Sequence, residues 1–97
     1  MSTIVVLLIS ALLPGCGYSE VSPRTYEIAK ALYSVSNLKR AEGLEKAETL
    51  IDESLQAGEI IEKEANYLRG IVQQCRNGEW DQAQQECRQL MEDQVNH

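Results

Sequence analysis

Residues 77–87 read NGEWDQAQQEC, and their reading decides the architecture. Asn77-Gly78 is a pair that tolerates left-handed backbone geometry, so it ends the regular structure before it. Upstream, Ile61, Ala65, Leu68, Ile71, Val72 and Cys75 recur at helical spacing. Downstream, Trp80, Ala83, Cys87, Leu90 and Met91 do the same before a polar tail. Each stripe is one-sided, so neither helix can bury its apolar face alone. A short turn between two such helices makes them antiparallel neighbours. The stretch is the corner of a helical hairpin.

The same arrangement recurs upstream. Ser22 is suited to N-cap a helix that has Pro23 at its first position. That helix carries Ile28, Ala31, Leu32, Val35 and Leu38, and its pattern breaks somewhere in residues 36–42. A second helix carries Leu44, Ala47, Leu50, Ile51, Ser54 and Leu55 until Gly58 stops it. At a spacing of 36 residues, Ala29, Leu32, Val35, Leu44, Ala47 and Ile51 correspond to Ala65, Leu68, Ile71, Trp80, Ala83 and Cys87. Both prolines lie before Arg24, and Ala, Leu, Glu, Gln, Lys and Arg dominate the remainder. The expectation is an all-α domain over residues 23–95, built from four antiparallel helices.

NGEWDQAQQEC also resembles the turn and second helix of a tetratricopeptide repeat. There a glycine closes the turn, an aromatic follows two later, and an alanine three beyond lets the helices approach. Gly78, Trp80 and Ala83 hold those positions, and Leu44 and Ala47 hold the last two in the first half. The resemblance implies two tetratricopeptide-like hairpins (TPR-like), with a plain four-helix bundle as the alternative. Arrays of that family bind extended peptides on a concave face. Their contact residues do not carry over, because Gly70-Ile71 stands where the family has leucine–glycine.

Before the helices lies Ile4–Leu13, ten residues without charge. A membrane-spanning helix needs about 20, so this run suits the core of a signal peptide instead. The following LLPGC is similar to the bacterial lipoprotein signal, with Leu13, Gly15 and Cys16 at its leucine, small-residue and cysteine positions. Pro14 replaces the usual small residue, and no Lys or Arg precedes the apolar run. The resemblance implies a signal peptide over residues 1–15 and lipidation of Cys16 as the first mature residue. It places the protein in the bacterial envelope, anchored to a membrane through Cys16. Residues 16–22, rich in turn formers, read as a tether.

The net charge of −6 argues against a nucleic-acid partner, which would need a basic face. Cys75 and Cys87 are candidate disulfide partners, since an envelope compartment lets such bonds persist. Geometry opposes the bond. A turn centred near Gly78 leaves the two cysteines offset along a straight hairpin by roughly 9 Å. Bonded Cα atoms must lie within about 7 Å. Both residues also fall on apolar stripes, where a free thiol acts as a small hydrophobe. Trp80 reads as a wedge where the last two helices meet.

ESLQAGEIIEKE, residues 53–64, resembles a calcium-binding EF-hand loop at Gly58, Ile60 and Glu64. Leu55 and Ala57 stand where oxygen ligands are required, so calcium binding is not expected. No histidine neighbours the cysteines, no glycine-rich phosphate loop occurs, and no nucleophile has a nearby base. No catalysis, cofactor or metal site is therefore expected. The sequence points to a small anchored lipoprotein working as a protein-interaction or scaffold module with an unnamed protein partner. Alternatives are a structural helical homo-oligomer and a short toxin-antidote or exclusion type of lipoprotein.

Overall fold

The computed structural model describes residues 20–95. They form four α-helices: α1 over Pro23–Leu38, α2 over Glu42–Gln56, α3 over Glu62–Arg76 and α4 over Trp80–Val95. Among the described residues there is no strand.

α1 begins as its sequence dictates. Ser22 is extended, its hydroxyl accepts from the Thr25 N–H, and Pro23 opens the first turn. The α1–α2, α2–α3 and α3–α4 connections share one device. In each, a residue in left-handed geometry follows the helix, and the next N–H reaches back five residues to a carbonyl. The pairs are Arg40 to Val35, Glu59 to Ser54 and Glu79 to Gln74. Glycine takes the left-handed place twice, at Gly58 (φ 77°) and Gly78 (φ 81°). At the first turn the residue is Lys39, with φ 53°.

The three short turns fold the helices back and forth. α1 packs most extensively against α4, so the first and last helices are neighbours. α2 lies against both α1 and α3, α3 also touches α1, and α2 makes no contact with α4. One continuous core results. Ile28, Leu32, Leu44, Ile51, Leu68, Ile71 and Leu90 are its largest members, none more than 2 % exposed. Each such side chain contributes about 1.5–3 kcal/mol by leaving water.

Small residues bring the backbones close. Ala29, Ala65 and Ala83 are fully buried, and Gly43 sits against Val35 of α1. A β-carbon on Gly43 would lie 2.8 Å from Val35 Cγ2. The same would meet nothing at Gly70, which is exposed in mid-helix.

Three members of the expected stripes sit elsewhere. Ala31 and Leu38 are exposed, because α1 turns its Thr25, Ile28, Ala29, Leu32 and Ser36 line inward. Ile61 is 60 % exposed, and its neighbour Ile60 enters the core instead. Residues 57–61 lie between helices, so helical spacing does not govern which isoleucine is buried.

Candidate functional site

The densest polar cluster gathers where the chain enters the domain. Glu64, in the first turn of α3, is only 6 % exposed. One carboxylate oxygen accepts from the Ser22 N–H at 2.7 Å. The other accepts from the Ser22 hydroxyl at 3.0 Å and from the Ile61 N–H at 3.1 Å. One side chain therefore serves the starts of two helices, α1 and α3. Helix N-termini leave N–H groups without intrahelical partners and favour negative charge, which explains a buried carboxylate there. Burial alone would raise its pKa. The bonds from Ser22 and Ile61, with help from Thr25, outweigh that and hold it below the ordinary Glu value.

A second tie reaches α4. The Val21 N–H donates to Gln94 Oε1 at 2.9 Å, and the Gln94 amide donates to the Leu90 carbonyl at 3.2 Å. Arg24 adds an exposed pair to Glu59 at 3.0 Å across to the α2–α3 connection. Residues 21–24 are thus fixed to α3, to the α2–α3 connection and to the last turns of α4. Together these contacts form a clasp around the entry of the N-terminal segment. The sequence reading marked Ser22 but not its partner, because Glu64 stands 42 residues away. The spacing of Ile61 and Glu64, which lets a side chain return to its own helix start, is the local signal that was available.

The two cysteines meet the core from facing helices. Cys75 of α3 and Cys87 of α4 are both buried, and both are free thiols in this structure. Burial raises both pKa values. That of Cys87 is pushed up to about 12, chiefly by burial, with repulsion from Cys75 and Glu86 adding. A thiol so placed is protonated at neutral pH and a poor nucleophile.

The other singled-out side chains are structural in their surroundings. Leu44, Ala47 and Ala83 are buried in the core. Trp80, the first residue of α4, is half-buried and packs against the core. Cys16, with residues 1–15 and most of the tether, lies outside the described residues. Among the described residues, no three His, Cys, Asp or Glu side chains group to hold a metal ion. None of the described helices is long and apolar enough to cross a membrane.

In comparisons with known proteins the chain matches no family model, no curated protein and no solved structure.

Proposed function

We propose that this chain is a small lipid-anchored lipoprotein of the bacterial envelope, whose helical domain is a non-catalytic protein-interaction module. The observation that carries the reading is the Leu13, Gly15, Cys16 signal directly after an uncharged apolar run. The fold supports it from the other side. Among the described residues the first helix starts at Pro23, and the six residues that separate it from Cys16 in the sequence suit a short tether. Two or more acyl chains on one site anchor stably, at about 0.8 kcal/mol per buried methylene. Holding the domain at a membrane raises its effective concentration for a membrane-bound partner.

Within that reading, the plain four-helix bundle is supported better than a pair of tetratricopeptide-like hairpins. α1 packs chiefly on α4, whereas stacked repeats would spread that surface onto the neighbouring hairpin. Ile71, a large buried side chain, stands at the place of the family's close-packing glycine.

Metabolic labelling with radioactive palmitate tests the proposal. The wild-type chain takes up label and sediments with membranes, and Cys16→Ser does neither. Equal labelling of both chains, or of neither, refutes the anchor.

A further inference from the structure

We infer that the clasp at residues 21–24 fixes which end of the bundle faces the membrane. The inference rests on the anchoring reading above. Val21 and Ser22 are tied to Gln94 of α4 and Glu64 of α3 by backbone N–H groups, so the chain cannot peel away there without stripping the buried Glu64 of both its bonds from Ser22. Only five residue steps separate Val21 from Cys16. They span at most about 18 Å.

The end of the bundle that carries the clasp is therefore held close to the bilayer. It includes the starts of α1 and α3 and the 57–61 connection, joined by the Ser22–Glu64 and Arg24–Glu59 contacts. The opposite end carries the Lys39–Arg40 corner and the Asn77–Gly78 turn, drawn together by the Gln84–Asn37 bond at 3.0 Å. α1 separates the two ends by its 16 residues, about 24 Å of helix. A long loose linker would let either end approach the lipid. A short one clamped at its exit holds the clasp end near and leaves the opposite end facing away.

Energy transfer to acceptor lipids in phosphatidylcholine vesicles tests this on the full lipidated chain. Single dyes are attached natively at Glu62→Cys, beside the clasp, or at Glu79→Cys, at the far end. Both positions are exposed, whereas Cys75 and Cys87 are buried. A lipidated Cys16 has no thiol to react. Transfer from position 62 should exceed that from position 79 several-fold. Inserting twenty Gly/Ser residues between Ser19 and Glu20, which leaves the fold untouched, should bring the two toward equality. Equal transfer from both positions in a chain with lipid confirmed by mass overturns the inference and leaves the anchor standing. A difference that persists with the lengthened tether also overturns it. No lipid on Cys16 overturns the anchor and this inference together.

Discussion

Glu64 of α3 and Ser22 at the head of α1 are joined twice, through the Ser22 N–H at 2.7 Å and its hydroxyl at 3.0 Å. The same carboxylate also caps its own helix through the Ile61 N–H. Glu64→Ala leaves these donors without their partner and should destabilise the domain by about 2–3 kcal/mol, since hydrogen bonds to charged groups are the stronger ones. Urea unfolding at pH 7 measures it. Exposed Glu62→Ala, on the same turn, should cost well under 1 kcal/mol.

The sign of the pH dependence follows from the direction of the Glu64 shift. Its folded pKa lies below the ordinary Glu value of about 4.3. Its contribution is therefore complete above that value and is lost as pH falls through the lowered folded pKa. Unfolding free energies of wild type and Glu64→Gln, measured from pH 6 down to pH 2, should converge at the acid end. Parallel curves would show that the Glu64 charge adds nothing.

Gly43 and Gly70 are both helical glycines, and alanine should act oppositely at the two. Gly70→Ala meets open space, so it should stabilise by about 0.5–1 kcal/mol through backbone entropy. Gly43→Ala drives its β-carbon to 2.8 Å from Val35 Cγ2 and should destabilise by about 1–3 kcal/mol. Val35→Ala combined with Gly43→Ala should recover much of that loss, giving a clear coupling energy in a double-mutant cycle.

Lys39 occupies the left-handed place that glycine fills at Gly58 and Gly78. An L-residue with a β-carbon is strained there by roughly 1–2 kcal/mol. Lys39→Gly should return about 1 kcal/mol after the entropy of the unfolded glycine is counted. A rise of several degrees in Tm by differential scanning calorimetry is expected, and Gly58→Ala should lower Tm by a similar amount.

The helices and their order were legible in the sequence because one-sided apolar spacing and the Ser22-Pro23 start are local signals. What stayed hidden depends on long-range partners. Ala31 and Leu38 looked inward because they are apolar, yet α1 buries the flank holding Thr25 and Ser36. Those hydroxyls are satisfied close by in the chain, Ser36 by donating to the Tyr33 carbonyl and Thr25 by a hydrogen bond with the Ser22 hydroxyl, so polarity did not forbid burial. Ile60 and Ile61 exchanged roles because no helix spans them. Glu64 read as the last position of a calcium-loop pattern that Leu55 and Ala57 rule out, and only the fold brings Ser22 to it.

Cys75 and Cys87 should resist iodoacetamide in the folded protein at pH 7, being buried with raised pKa values. Denaturation without reductant should release two reactive thiols from the lipidated chain. Rapid native labelling of either cysteine would contradict their burial, and no thiols after denaturation would mean that the two had paired.

The central claim is that the mature chain begins at Cys16 with lipid on its sulfur, a few residues before the clasp. Intact-mass spectrometry of the protein purified from membranes measures it directly. The expected N-terminal fragment begins at Cys16 and carries acyl groups, with the fragment ions placing the addition on Cys16. An unprocessed, unmodified chain starting at Met1 would contradict the account.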